Sequence, residues 1–261
     1  MITAGIDCGA KNTKTIILKD GKIVGSASVL TGFDQEAAVT ASVNKALTSA
    51  GMTLLQIEKI GGTGSGKNSI KLSGIMVVNN IKSMAKGAFY FFPNARTVAD
   101  VGAEGSRAAK LDDTGNPIDF AVNEKCAAGA GAFIEAMARV LETPLKEIGP
   151  MALTSNNKIP MNAQCAIFAE SEVVGLIHAK TAHNDISKAI HDSIAGRIVS
   201  MIRRIGISED VVLIGGVGYN PGFVEAMRRE LNLSRIYTPD APEYGAALGA
   251  AMVVSEEAEK R

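Results

Sequence analysis

Apolar stretches separated by glycines and charged residues divide the chain into short strands and helices. Residues 3–10 are followed by an apolar run, and Asp20-Gly21 separates that run from another strand-like stretch. An Asp-Gly pair between apolar runs is typical of a hairpin turn, so we expect antiparallel strands here. A helical pattern then begins after Asp34, which can cap it, and ends at Gly51.

The same order of elements begins again 93 residues later, where Asp100 and Gly102 repeat the spacing of Asp7 and Gly9. Two such halves predict an α/β fold of two subdomains that flank a cleft. We expect the subdomains to span residues 1–95 and 96–261, with the final helix packing back on the first. The other expected segments are strands at 107–111, 118–122, 59–62 and 211–215, and helices at 127–141 and 170–180.

Composition and charge narrow the class of protein. Hydrophobic residues make up 46% and charged residues 21% of the chain, the balance of a soluble globular protein. Lys+Arg and Asp+Glu are equal at 27 each, which argues against nucleic acid or an anionic membrane as partner. The sequence shows neither a membrane-spanning apolar run nor the basic-then-apolar order of a secretion signal, so we expect a cytoplasmic protein.

One glycine-rich segment is similar to a nucleotide-binding motif. Residues 61–68, Gly-Gly-Thr-Gly-Ser-Gly-Lys-Asn, nearly match the P-loop pattern, but Asn68 stands where that pattern has the Mg²⁺-binding hydroxyl. We therefore interpret residues 63–66, Thr-Gly-Ser-Gly, as a loop at the cleft that can touch a nucleotide, and the whole segment not as a P-loop.

A further glycine pair, Gly215-Gly216, ends the expected strand at 211–215. Two Asp-x-Gly hairpins followed by a Gly-Gly segment resemble the sugar kinase/actin/heat-shock chaperone superfamily, whose duplicated ATPase fold grips the nucleotide between two subdomains. The resemblance implies that ATP and Mg²⁺ bind in the cleft. It assigns catalytic roles to Asp7, Asp100 and Glu104, and nucleotide contacts to Gly9, Ala10, Lys11, Thr13, Lys14, Gly102, Ala103, Gly215, Gly216 and Val217.

The residue types suit that chemistry. Two carboxylates that point into one cleft repel each other when it is empty, and a magnesium–phosphate complex between them relieves the repulsion. Mg²⁺ prefers oxygen ligands and retains several waters, so the carboxylates can act through water. Backbone amides around the hairpin glycines can bind phosphate oxygens.

The cysteines leave two interpretations open. Cys126 and Cys165 each precede an expected helix, where the helix dipole favours a thiolate. Their spacing alone, without a C-x-x-C pair, favours small buried apolar residues, the usual role of a free cysteine. We expect Cys8 to be buried in the first hairpin.

The segments around Cys126 and Cys165, together with residues 245–251, resemble the BadF/BadG/BcrA/BcrD ATPase family. That family contains activators of 2-hydroxyacyl-CoA dehydratases and ATPase subunits of benzoyl-CoA reductase. The resemblance implies a [4Fe–4S] cluster shared by two identical or homologous chains, with Cys126 and Cys165 of each chain as ligands. It also implies ferredoxin as electron donor and a CoA-ester reductase or dehydratase as electron acceptor, with no nucleic acid or membrane partner.

The second hairpin departs from the pattern of the activators. Ala103-Glu104 stands where activators usually have Gly-Gln, and activators carry Ser or Thr near Ala10 and Lys11. These departures favour an electron-activating ATPase subunit of benzoyl-CoA reductase. The alternatives are a homodimeric activator of a 2-hydroxyacyl-CoA dehydratase and a small-molecule kinase without a cluster.

Overall fold

The computed structural model describes residues 1–123, 129–161 and 166–259, and within these ranges it contains two sheets and eight α-helices. The first sheet has the strand order β3-β2-β1-β4-β5 and the second β8-β7-β6-β9. The strands are β1 (Ile2–Cys8), β2 (Asn12–Lys19), β3 (Lys22–Leu30), β4 (Lys59–Thr63), β5 (Ile75–Val77), β6 (Thr97–Val101), β7 (Ser106–Leu111), β8 (Pro117–Asn123) and β9 (Val211–Ile214).

The helices lie between and beyond these strands. They are α1 (Gln35–Ala50), α2 (Asn80–Phe91), α3 (Ala130–Val140), α4 (Leu145–Ala152), α5 (Ala166–His178), α6 (His183–Arg204), α7 (Pro221–Leu231) and α8 (Gly245–Glu259). None of the helices in the described ranges is both long enough and apolar enough to cross a bilayer.

The turn and the helix predicted near the N-terminus are confirmed. Asp20 and Gly21 have φ values of 49° and 74°, and a two-residue hairpin turn of this type requires positive φ at both positions. Asp34 accepts a hydrogen bond from the Ala37 amide at 2.9 Å, and Gly51 ends α1 in the left-handed conformation with φ 63°.

The two sheets repeat one arrangement. In each, three antiparallel strands come first, and a later strand pairs in parallel with the first of them: β4 with β1, and β9 with β6. The helix expected at 170–180 begins earlier, at Ala166, because the apolar residues before Glu170 continue the helix. The helix expected at 127–141 is described from Ala130 to Val140.

Helix α8 lies against the first sheet and against α2 at backbone contact distance. A Cβ atom on Gly249 would overlap the Ser83 carbonyl, and one on Gly5 would overlap the Ala247 carbonyl. Gly87 and Gly61 make equivalent approaches to Gly245 and Ala250. The glycines therefore allow the last helix to lie flat on the sheet that carries Asp7.

This close contact predicts opposite effects for two helical glycines. Gly249→Ala should destabilise the protein by roughly 1–3 kcal/mol or more, because the added methyl group must push the helices apart. Gly196, in the middle of α6, has open space around it. Gly196→Ala should therefore be neutral or stabilise by up to about 1 kcal/mol. Urea denaturation of both variants measures the difference, and equal stabilities would contradict the packing.

Candidate functional site

A cavity of about 850 Å³ opens between the two sheets, within the size range of small-molecule sites. Both Asp-x-Gly hairpins and the glycine pair after β9 line it, so the two halves of the predicted site face one another. The predicted residues on its wall are Asp7, Gly9, Ala10, Lys11, Lys14, Asp100, Gly102, Ala103, Glu104, Gly215, Gly216 and Val217.

Each aspartate in the cavity faces a basic residue on the neighbouring strand. The strand register pairs Asp7 with Lys14 and Asp100 with Arg107, and directly opposite residues of an antiparallel pair project to the same face. Lys14 Nζ donates to Asp7 Oδ2 at 3.0 Å, and Arg107 Nη1 lies 3.8 Å from Asp100 Oδ2. The exposed fraction of each of these side chains is between 12% and 16%.

The environment of the cleft raises the pKa values of Asp100 and Lys14. Burial raises the pKa of Asp100, Arg107 opposes that rise, and the charge of Asp7 adds to it. Burial also disfavours the charged form of Lys14, but the charge and hydrogen bond of Asp7 outweigh it, so the pKa of Lys14 is raised. Each aspartate in the cleft therefore has one basic residue opposite it on its own hairpin.

A glycine after each parallel strand lies directly against one aspartate. Gly64 follows β4 with φ 97°, and a Cβ atom there would lie 2.5 Å from Asp7 Oδ1. Gly215 follows β9 with φ 89°, and a Cβ atom there would lie 2.7 Å from Asp100 Oδ1. Both positions require glycine for conformation and for space. The loop predicted at 63–66 is confirmed, since Thr63 ends β4 and both Gly64 and Ser65 line the cavity.

Helix α3 begins against the second hairpin loop. The Gly131 amide donates to the Gly102 carbonyl at 3.1 Å, and the Ala132 amide donates to the Ala103 carbonyl at 3.0 Å. These amides belong to the first turn of the helix, where no intrahelical acceptor exists. A Cβ atom on Gly129 would overlap the Ala103 carbonyl. The loop thus caps α3, and the glycine allows the approach.

An ion pair crosses the cavity to the same helix. Lys11, in the first hairpin loop, pairs with Glu135 of α3, and both side chains line the cavity. Helix α3 is consequently held by both hairpins, through backbone hydrogen bonds to one and through an ion pair to the other.

Thr13 does not line the cavity. Side chains alternate along a strand, and Lys14 faces the cleft, so Thr13 faces the interior and is fully buried. Its hydroxyl lies 3.0 Å from that of Thr31, which donates to the Gly9 carbonyl at 2.8 Å. Thr13 therefore contacts the first loop from behind.

Sequence reasoning did not identify the outer wall of the cavity. It consists of Leu145, Lys146, Gly149, Pro150, Tyr219, Asn220, Pro221 and Glu243. Asn220 Oδ1 accepts from the Phe223 amide at 3.0 Å and so caps α7, with Pro221 in the first turn. The Asn-Pro pair before an amphipathic run was the available sequence signal for this helix start.

The cysteines separate into two groups. Cys8 ends β1 fully buried, and burial raises the pKa of its thiol, with the Thr13 hydroxyl opposing the shift. The prediction that Cys8 is buried in the first hairpin is confirmed. Cys126 and Cys165 lie outside the described residues.

The sequence matches known proteins over nearly its whole length. Residues 4–254 match the BadF/BadG/BcrA/BcrD ATPase family. The activator of lactoyl-CoA dehydratase from Anaerotignum propionicum is 36% identical, and the match covers 100% of each chain. One of the subunits of benzoyl-CoA reductase from Thauera aromatica is 29% identical, over 96% of this chain and 92% of that protein.

Solved structures share the fold. (R)-2-hydroxyglutaryl-CoA dehydratase component A from Acidaminococcus fermentans superimposes with a TM-score of 0.93 at 32% identity, over 99% of each chain. The activator of 2-hydroxyisocaproyl-CoA dehydratase from Clostridium difficile, with bound ADPNP, gives a TM-score of 0.91 at 34% identity, over 100% of this chain and 96% of that one.

A more distant structure bears on the fold class alone. A ROK family glucokinase from Streptomyces griseus gives a TM-score of 0.61 at 14% identity, over 97% of this chain and 99% of that one. The predicted duplicated fold of the sugar kinases and actin is therefore confirmed.

The two adjacent glycines after β9 should respond differently to a methyl group. Gly215→Ala should destabilise the ligand-free protein by roughly 1–3 kcal/mol, because the new Cβ displaces Asp100 and the backbone is strained at positive φ. Gly216 has open space around it and lines the cavity. Gly216→Ala should keep the ligand-free stability and weaken ADP binding.

Urea denaturation without nucleotide and ADP titration measure the two effects separately. The assignment of Gly215 to the support of Asp100 would be wrong if both variants lost the same stability.

Proposed function

Since the chain belongs to the BadF/BadG/BcrA/BcrD ATPase family, we propose that it is an ATP-hydrolysing activator of a 2-hydroxyacyl-CoA dehydratase. In this role ATP hydrolysis drives a low-potential electron from a [4Fe–4S] cluster shared by two chains to the dehydratase, with ferredoxin as electron donor. The full-length similarity to dehydratase activators carries this proposal. It replaces the preference for a benzoyl-CoA reductase subunit, because that relative is less similar.

The cavity supports ATP hydrolysis. Asp7 and Asp100 approach it from opposite hairpins, where their oxygens can hold a Mg²⁺ ion directly or through water. Glu104 lies on the cavity wall with an exposed side chain, where a carboxylate can orient the attacking water and accept its proton. The loop amides and Lys14 can neutralise the phosphate charge.

The cysteine set fits a shared cluster. A [4Fe–4S] cluster is held by cysteine thiolates, commonly four, and it would supply a low-potential electron. Cys8 cannot contribute, because it is fully buried in β1 behind the first hairpin loop. Cys126 and Cys165 remain, so one chain provides two thiolates and two chains provide four. A two-fold symmetric dimer completes such a site.

The surroundings of Cys165 support an interface. Ile167 and Phe168, in the first turn of α5, have exposed fractions of 71% and 66%. Two adjacent large apolar side chains beside a cysteine are suited to contact with a second copy of the chain. Residues of α3 and α5 share one core cluster, so the two cysteine segments lead into neighbouring helices.

The contacts of α3 provide a path from the nucleotide to these segments. Its first turn is bonded to the loop after Asp100, and Glu135 is paired with Lys11 of the opposite loop. A change in cleft closure moves one loop relative to the other, so α3 must shift relative to at least one of them. Helix α3 follows the Cys126 segment directly, so the shift reaches that segment.

A benzoyl-CoA reductase subunit is the second candidate. Ala103 and Glu104 depart from the activator pattern at the second hairpin, and a subunit of that reductase is among the relatives. Anaerobic purification from the native source separates the two. An activator should elute as a free dimer, whereas a reductase subunit should elute with its partner subunits.

The cysteine assignment predicts that two of three cysteine variants lose their iron and the third keeps it. Cys126→Ala and Cys165→Ala should each lose most of the bound iron, dissociate to monomers and fail to activate the dehydratase, because two thiolates of four are removed from the dimer. Both should still bind ATP, since the cavity residues lie in other segments. Cys8→Ser is the matched control and should keep its iron.

Iron and sulfide assays with anaerobic size-exclusion chromatography test this division. Full iron content in Cys126→Ala or Cys165→Ala would remove the shared-cluster proposal and make the kinase alternative the stronger one.

If the Lys11–Glu135 ion pair transmits cleft closure to α3, breaking it should uncouple ATP hydrolysis from electron transfer. Both residues are partly exposed, with exposed fractions of 43% and 26%, so the pair contributes about 0.5–1 kcal/mol. Glu135→Gln should therefore lower the electrons delivered per ATP hydrolysed by a factor of about two to five. Glu257→Gln breaks a comparable ion pair with Lys82 on α2, neither of which lines the cavity, and should leave this ratio unchanged.

Anaerobic assays that follow phosphate release and dehydratase reduction together give the ratio. An unchanged ratio in Glu135→Gln would exclude the ion pair from the coupling path.

A further inference from the structure

The internal repeat contains a basic residue that accompanies each aspartate. Lys14 stands seven residues after Asp7, and Arg107 stands seven residues after Asp100, so the two cations are also 93 residues apart. Each lies directly opposite its aspartate across the hairpin. The repeat therefore places a charge pair, and not a lone carboxylate, in each half of the cleft.

Arg107 is positioned to reach a ligand. Its side chain is 14% exposed, and it lines the same cavity as Lys14 and both aspartates. Its distance of 3.8 Å from Asp100 is an ion pair but is longer than a direct hydrogen bond, whereas Lys14 donates to Asp7 at 3.0 Å. The contact with Asp100 is therefore an electrostatic attraction, whereas the contact between Lys14 and Asp7 is a direct hydrogen bond.

The charge balance changes when a magnesium nucleotide enters. A Mg²⁺ ion held by Asp100 would supply positive charge to the carboxylate, and a nucleotide would bring phosphate oxygens that need cationic partners. A guanidinium offers a planar set of donors that matches phosphate oxygens and remains charged when buried. Asp100 would then bind the metal, and the positive charge of Arg107 would attract the phosphate.

We propose that Arg107 is a phosphate-binding residue that exchanges Asp100 for the β- or γ-phosphate of the nucleotide. This inference rests on the proposed ATPase function and adds a cation from the second hairpin to the Lys14 of the first. Each hairpin then contributes one carboxylate to the metal and one cation to the phosphates.

Nucleotide affinities of an Arg107 variant test the inference. Arg107→Gln should weaken Mg·ADPNP or Mg·ADP binding about tenfold or more, as expected for loss of a hydrogen bond between charged groups. AMP, which has only the α-phosphate, should bind as to the wild type. A loss seen with both ADP and ADPNP assigns the contact to the β-phosphate, and a loss with ADPNP alone assigns it to the γ-phosphate.

A double variant separates phosphate binding from mere neutralisation of Asp100. If Arg107 only compensates the carboxylate, Arg107→Gln should have no further effect in an Asp100→Asn background. The proposal expects a comparable loss of ADPNP or ADP affinity in that background. Arg107→Lys keeps the charge without the planar donors, so it should lose less ADPNP or ADP affinity than Arg107→Gln. It replaces the glutamine variant in these measurements if that variant fails to fold.

Arg96→Gln is the matched control, because Arg96 pairs with Asp113 at 3.0 Å on the same sheet but does not line the cavity. It should bind all three nucleotides normally. Unchanged ADPNP and ADP affinity in both Arg107 variants would overturn the inference while leaving the ATPase proposal intact. Failure of the wild type to bind ADPNP would instead overturn the ATPase proposal.

Discussion

The cleft buries two carboxylates of like charge in one cavity, and the rest of the site is arranged around that constraint. Burial disfavours the ionised form of Asp100, and the charge of Asp7 disfavours it further. An uncompensated negative charge buried in the cleft would be unfavourable. The cross-strand cations Lys14 and Arg107 supply the compensation, and the duplicated hairpin supplies it twice in the same way.

The same constraint explains the concentration of glycine near the cleft. Gly64 and Gly215 lie where a methyl group would contact an aspartate oxygen, so each carboxylate is supported by backbone from the neighbouring parallel strand. Gly129 allows α3 to begin directly on the loop after Asp100. Close packing of backbone against backbone leaves little room for independent movement, so displacement of a loop is passed to the helix it caps.

The sequence predicted those features that depend on local patterns or on the repeat. The paired Asp-x-Gly hairpins, α1 with its cap at Asp34, and the glycine-rich loop at the cleft all follow from residues close together in the chain. Arg107 was missed although the signal was present. It lies 93 residues after Lys14, the same offset that relates Asp100 to Asp7. Thr13 was assigned to the phosphate loop, although strand alternation beside Lys14 already implied that it faces the interior.

Other features depend on contacts between distant segments and could not be predicted in this way. The outer wall of the cavity brings α4 against Asn220, and nothing near Gly149 in the sequence indicates that approach. The choice between activator and reductase subunit was drawn from a few positions, Ala103, Glu104 and the neighbourhood of Ala10 and Lys11. Similarity over the whole chain favours the activator, because functional divergence is distributed over many positions and a few substitutions represent it poorly.

The two attachments of α3 differ in strength, and the difference indicates which one changes when the cleft opens. The bonds to Gly102 and Ala103 satisfy amides that have no other acceptor within the helix, and breaking them leaves polar groups unpaired at a cost of about 1–3 kcal/mol each. The pair between Lys11 and Glu135 is partly exposed, and water can replace either partner at a cost of about 1 kcal/mol or less. Helix α3 should therefore move with the second hairpin and separate from the first. Opening of the ion pair would leave the Lys11 ammonium on the cavity wall without the Glu135 carboxylate, so its positive charge would face the cavity.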